Sequence, residues 1–302
     1  MTPYRTTFPP HIKALDSVPR RFWITVAALI PSLASAFFWF RWDAARIVFT
    51  AVLTGLVTEF LSARLFGKKP AFYNGFTVLS ALLFSMLMPA GIPFWRVILG
   101  GFVTVLFGKE IFGGLGANPF HPSLLGAGFL WAIFPEGMSR TPEPLTGILT
   151  NHPLSLDGGG LPAPGLFFGH DAGMIGETSA AALLAGGLAL IWKKYIDWRV
   201  PAIFLGALFL FSRAAGLDPW KNLLWGGAFF AAFFFITDPV TTPSTQKGNW
   251  LFALGAAVCT VFMRRGSPSG GIIFAVLFMN ALTPWIDEWV RPKRARVSIQ
   301  NP

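Results

Sequence analysis

The sequence predicts an all-α polytopic membrane protein with about ten transmembrane segments, arranged as two five-segment repeats with broken helices. Hydrophobic residues make up 53% of the chain and charged residues only 13%, against about 25% charged in an ordinary soluble domain. Mean hydropathy is +0.56. Apolar runs able to cross ~30 Å at about 1.5 Å per residue recur from end to end. Pro- and Gly-rich breaks punctuate them at matching places in the two halves.

Residues 1–21 form a polar, basic tail with Arg5, Lys13, Arg20 and Arg21, and no small-residue cleavage site follows an early apolar core, so no cleaved signal peptide is expected. The first membrane repeat is assigned to residues 22–134, with apolar runs near 22–40, 44–66, 72–89, 93–113 and 119–134. A polar loop, 135–172, separates it from the second repeat, 173–290, whose runs fall near 173–192, 200–215, 219–236, 249–263 and 270–286. Residues 291–302 are a basic tail.

Charge orients these runs. With both termini in the cytoplasm, ten crossings place Lys68, Lys69, Lys193, Lys194 and the tail residues Arg291, Lys293, Arg294 and Arg296 on the cytoplasmic side of the inner membrane. The 135–172 loop, with Glu136, Glu143, Asp157 and Asp171 against Arg140, falls outside. Arg264 and Arg265 also fall outside, against the rule. Tryptophans near run ends, Trp23, Trp42, Trp95, Trp192, Trp198, Trp220, Trp250 and Trp285, suit an aromatic belt. The net charge of +10 is gathered at run ends and in the tails, where anionic lipid would attract it, so the bilayer rather than nucleic acid is the expected partner. Cys259 is the single cysteine. It excludes an internal disulfide and any cysteine-built cluster, and His11, His121, His152 and His170 show no paired spacing for a haem or metal, so no metal site is expected.

An internal repeat pairs Trp95–Gly101 with Trp220–Gly226, and Asn118-Pro119 with Asp238-Pro239. Proline in such clusters breaks the helix, and freed backbone at membrane depth must be satisfied by protein or a water-filled cavity. Paired breaks in two halves point to a central binding site. This pairing joins segments four apart, which implies a parallel repeat. Glu59, Lys109, Glu110 and Asp238 are the ionisable residues within or ending apolar runs, and each is a candidate for ion or proton movement. Glu59, Lys109 and Glu110 lie near cytoplasmic ends, where lysine can snorkel and charges can pair.

Gly173–Lys194 joins a polar head, Gly176-Glu177-Thr178-Ser179, to an apolar run closed by Lys193 and Lys194. Thr178 is read as standing where a helix begins, at the membrane boundary. On the residues alone, Thr178 or Ser179 is an N-cap, or the helix N-terminus holds a phosphate.

The run G-M-I-G-E-T-S-A-A-A-L-L-A-G-G resembles the flavin-attachment segment of the D subunit of Rnf-type electron-transport complexes. Phe107–Ser123, Phe234–Thr245 and Gly270–Pro284 resemble the same family, and the similarity runs from about Gly67 to Trp289. The resemblance implies FMN esterified to Thr178, with Gly176, Glu177 and Ser179 around it, in one subunit of a larger complex. It also implies a noncovalent riboflavin, for which Asn118, Thr237, Asp238 and Thr241 offer donors and acceptors. It implies halves of inverted topology, and oxidation of ferredoxin coupled to NAD⁺ reduction, or the reverse, with Na⁺ or H⁺ pumped. No residue is assigned a catalytic role: the chain is expected to act as a subunit of an ion-translocating oxidoreductase and not alone. Two other readings stay open. The B subunit of the sodium-pumping NADH:quinone reductase carries the same bond, but its threonine motif resembles S-G-A-T. A flavin-free channel or secondary transporter would also suit the repeat and the broken helices.

Overall fold

The computed structural model describes residues 17–142, 149–151, 167–169, 173–225, 227–267 and 270–290. Residues 1–16 of the first tail and the whole of the second, 291–302, lie outside these residues, as do Glu143, Asp157, Asp171 and much of the 135–172 loop, while the first tail's last residues open α1. Helices occupy the apolar runs: α1 Val18–Ala28, α2 Ile30–Leu65, α3 Phe76–Met86, α4 Phe94–Val105, α5 Pro122–Ile133, and a short α6 Pro135–Ser139. The second half holds α7 Ala180–Trp192, α8 Arg199–Ala214, α9 Pro219–Leu224, α10 Ala228–Phe230, α11 Gln246–Arg264 and α12 Gly271–Val290. Proline opens the first turn of α1, α2, α5, α6 and α9, where its missing amide costs no helical hydrogen bond. The architecture is all-α. Among the described residues it departs from helix only in short turns and in a ribbon of β1 Arg140–Pro142 against β2 Leu149–Asn151.

Three features differ from the sequence expectation. The first expected run, 22–40, is divided at Leu29 between α1 and the start of α2, while Arg41, at φ 48° and ψ −119°, bends α2 between the first and second expected runs. Trp39 and Trp42 flank that bend, and Arg46 pairs with Asp43 at 3.0 Å and donates to the Ala90 carbonyl at 3.3 Å. Secondly, α3 and α7 are short, 11 and 13 residues, or ~16 and ~20 Å, so neither crosses ~30 Å of hydrocarbon. Irregular backbone completes both paths. Thirdly, α4 and α10 each pass into a π-helical turn, Leu106–Glu110 and Ala231–Phe235, at the same distance after Trp95 and Trp220.

Packing identifies the repeat. In the first half α4 lies against α2 and α5, and α2 against α3; in the second, α11 lies against α8 and α12, and α8 against α9. α1 packs on α3 as α7 packs on α10. By this packing α1 corresponds to α7, α2 to α8, α4 to α11 and α5 to α12. The Trp95 and Trp220 likeness is real locally, since both stretches end in a π-turn before a proline break, but the packing of α4 on α5 has no counterpart between the 219–235 stretch and α11. The packing therefore pairs α4 with α11 and not with the 219–235 stretch.

The halves meet where α7 lies on α1 and α2, and where α12 lies on α5. Without a hydrophobic drive between helices in lipid, close approach needs small residues. Gly186 provides it: a Cβ there would stand only 2.1 Å from the Ala28 carbonyl oxygen, which backbone cannot yield. Gly186→Ala should therefore lower the thermal unfolding midpoint in detergent, by an amount equivalent to about 1–3 kcal/mol. Gly206→Ala, with nothing within 4 Å, should leave it unchanged or raise it slightly. Equal effects at the two positions would contradict this account of the seam.

Candidate functional site

Alternation of the helices gives the bundle two ends. At the first, Arg21 lies over the Tyr195 ring at 5.8 Å, Trp23 donates to the Tyr73 carbonyl at 3.1 Å, and Lys68 donates to the Gly113 carbonyl at 3.1 Å. At the second lie Trp39, Ala90, Thr178, Trp225 and Arg264.

Thr178 sits at the second end, in a loop that is packed inside the protein. The Ile175 amide donates to the Met88 carbonyl at 3.0 Å and the Gly176 amide to the Met86 carbonyl at 2.7 Å, while Met174 bridges Pro89. These are the carbonyls left open where α3 ends, so the terminus of one short helix is satisfied by the loop leading into the other. Gly176 is required at this contact because a Cβ would lie 2.5 Å from that of Met86. Its carbonyl faces the Ser32 hydroxyl at 3.5 Å. Thr178 is 5% exposed, and its hydroxyl donates to the Ile175 carbonyl at 3.1 Å. Of the two caps the sequence offers, the structure uses Ser179: α7 begins at Ala180, the Ser179 hydroxyl accepts from the Ala182 amide at 3.2 Å, and Thr178 stands one residue before the cap. Glu177 is buried with its carboxylate against the Gly227 turn.

The residues suit a phosphate in part. Ser179 satisfies one first-turn amide, and the remaining amides and the dipole of α7 favour an anion beside Thr178. An ester at Thr178 requires its oxygen to give up the hydrogen bond to Ile175.

The first end carries the two proline breaks, and the structure brings them together through Asn280 of α12. Its Oδ1 accepts from the His121 amide at 3.1 Å and its Nδ2 donates to the Thr241 carbonyl at 3.1 Å. Asp238 Oδ2 accepts from the Thr241 amide at 3.0 Å and hydroxyl at 2.8 Å, and so closes the second break. Between the breaks is a cleft with an enclosed volume of about 60 Å³, lined among others by Arg21, Phe76, His121, Tyr195, Thr237 and Asp238. His121 is buried, and its Nδ1 has no hydrogen-bond partner. Two of the four expected residues, Thr237 and Asp238, line the cleft. Thr241 supports Asp238 from behind, and Asn118 bonds the Phe120 carbonyl at 3.2 Å and does not line it. The chemistry suits a ring with carbonyl and amide edges. The volume does not without rearrangement, since small-molecule sites span roughly 300–1,000 Å³.

The third cluster is a buried charge network. Lys109 is only 4% exposed, so it does not snorkel as expected. Its ammonium contacts Glu59 at 2.9 Å, Glu110 at 3.0 Å and the Thr77 hydroxyl at 2.9 Å. The π-turn after α4 presents Lys109 and Glu110 inward together, a common use of such turns. Glu59 Oε1 also accepts from the Ala71 amide at 3.1 Å, while its Oε2 is buried without a partner.

His121, Asn280 and Arg264 were not assigned a role in the sequence. A lone amide within the apolar run of α12 was the available signal for Asn280. Arg264, which stood out against the orientation rule, is buried: it donates to the Asn222 carbonyl at 2.5 Å, to Asn222 Oδ1 at 3.0 Å and to the Trp225 carbonyl at 3.3 Å. Its charge serves the interior and does not mark a loop.

Comparison with known proteins agrees with this architecture. The D subunit of the Na(+)-translocating ferredoxin:NAD(+) oxidoreductase complex of Acetobacterium woodii is 35% identical, over 94% of this chain and 92% of its own. The corresponding D subunit of the proton-translocating ferredoxin:NAD(+) oxidoreductase complex of Clostridium ljungdahlii is 33% identical over 94% and 93%. That of the ion-translocating oxidoreductase complex of Methanosarcina acetivorans is 30% identical over 97% of both chains. Residues 5–296 match the profile of the NQR2, RnfD, RnfE family, and with these relatives aligned over nearly their full length, the chain belongs to that family of ion-translocating electron-transport proteins.

Proposed function

We propose that this chain is the flavin-carrying membrane subunit of an Rnf-type complex, passing electrons across the inner membrane while Na⁺ or H⁺ is moved. FMN is esterified to Thr178 at the outer end, riboflavin is held noncovalently between the proline breaks at the cytoplasmic end, and both termini are cytoplasmic. Flavins supply one- and two-electron chemistry that no side chain of this chain offers. Other subunits of the complex supply the ferredoxin and NAD⁺ sites. The observation that carries the reading is Thr178 itself: a hydroxyl inside the protein, one residue before the cap of a helix whose N-terminus favours a phosphate.

The chain's own groups have separable tasks. Gly176 and Ser179 hold the loop and the helix start in place. At the other end, Asp238, Thr237 and His121 orient the ring edge, and admission of the ring requires the cleft of about 60 Å³ to widen. Glu59, Lys109 and Glu110 hold three buried charges with an uncompensated carboxylate oxygen, the arrangement expected of a group that exchanges a cation or proton. Relatives named for Na⁺ and for protons stand at similar identity, so the chain's overall likeness does not choose the coupling ion.

Thr178→Ala should abolish in-gel flavin fluorescence after denaturing electrophoresis. Against the flavin-free chain it should destabilise the protein by only about 0.5–1.5 kcal/mol, the contribution of the free hydroxyl's hydrogen bond to Ile175. Fluorescence that survives the substitution would move the attachment elsewhere.

Asp238→Asn and Thr237→Val should reduce acid-extractable flavin severalfold while the esterified flavin stays. Full retention in both variants would remove riboflavin from the cleft.

Glu59→Gln should fold, because Lys109 keeps Glu110, yet ion uptake by vesicles driven by ferredoxin oxidation should fall at least tenfold. Lys109→Met leaves two buried carboxylates without their cation and should cost about 3–5 kcal/mol. Wild-type ion uptake in Glu59→Gln would exclude the cluster from the ion path.

A further inference from the structure

Arg264 ends α11 with 5% of its surface exposed, and its guanidinium is directed at the bend between α9 and α10. The same bend receives Glu177 from the other side. Gly227, at φ 69°, has no side chain, and a Cβ there would stand 2.6 Å from Glu177 Oε1, so the carboxylate rests where an ordinary residue would put its β-carbon. Glu177 is the carboxylate that lies against the same bend as the Arg264 guanidinium. Two buried opposite charges therefore converge on Trp225 and Gly227, one from the end of α11 and one from the residue immediately before Thr178. A carboxylate taken out of water at this depth is held only if a cation compensates it. A helix-end arginine that already binds backbone carbonyls is fixed in place to do so.

We propose that Arg264 is a positioning residue for the loop carrying Thr178: by neutralising Glu177 it clamps the loop onto the Trp225–Gly227 bend and sets where any group on Thr178 lies relative to α7. The clamp stands on charge and packing alone. Its use in electron transfer rests on the flavin reading above. It also gives the Gly176-Glu177-Thr178 sequence a division of labour. Gly176 locks the loop to α3, Glu177 locks it to the second half, and Thr178 is left as the exchangeable position.

The test is a charge cycle in the whole detergent-solubilised complex, with Thr178→Cys in a Cys259→Ser background and maleimide as the probe. The parent should label slowly, because position 178 is buried, and Glu177→Gln severalfold faster, because the loop loses its lock while Arg264 keeps its bonds to Asn222 and Trp225. Arg264→Met should label faster by on the order of a hundredfold, the scale set by an uncompensated buried charge. Arg264→Met combined with Glu177→Gln should return to within about tenfold of the parent, since no charge is then left unpaired. An unchanged rate in Arg264→Met, or a double variant as fast as Arg264→Met, would overturn the proposal, because the arginine would then act only through Asn222 and Trp225. If Arg264→Met yields no folded protein, recovery of folded protein in the double variant is the supporting result, and failure of both counts against it. With threonine restored, the midpoint potential of the linked flavin should shift in Arg264→Met and return in the double variant. A parent without linked flavin would sink the reading of Thr178 and leave the labelling result standing.

Discussion

Backbone amides and carbonyls freed inside a bilayer have no water to bond, and this chain frees them at several points. Each finds its partner in a distant element. The carbonyls beyond α3 take amides from the loop before α7. The two proline breaks share Asn280, and the bend after α9 takes Arg264. Because a lipid-facing break cannot exist, the breaks must collect in the protein interior, and collecting them defines the two ends at which ligands could sit. The short lengths of α3 and α7 follow from the same constraint. Neither could stop halfway unless the other supplied the missing hydrogen bonds.

Buried charge follows a similar logic with a different outcome. Lys109 is matched by two carboxylates and leaves one oxygen of Glu59 without a partner, a costly arrangement for a scaffold. Arg264 directs its donors to backbone carbonyls of the bend against which Glu177 lies. On the proposed function, the first network serves exchange and the second rigidity.

Much of this could be read from residues in order. Hydropathy located the helices, because a membrane imposes a length on each run. The T-D-P-V-T-T-P and A-N-P-F-H-P breaks were visible as prolines where helices should continue. Their mutual approach was not derivable from spacing, since the bridging Asn280 lies in another helix. The Trp95 and Trp220 likeness misdirected the repeat because a π-turn and a proline break recur locally without the packing that defines a structural unit. Arg264 looked like a topological exception because sequence shows its charge and not its burial. Residue order offers both Thr178 and Ser179 as the cap, because either hydroxyl can serve. Only the distance from Ser179 Oγ to the Ala182 amide decides between them.

The central claim is that the two collected sets of breaks hold two flavins in different ways. Acid precipitation of the purified chain, with flavin measured in pellet and supernatant, tests it most directly. The account predicts one flavin in the pellet and one in the supernatant per chain. Flavin wholly in one fraction, or in neither, would contradict it.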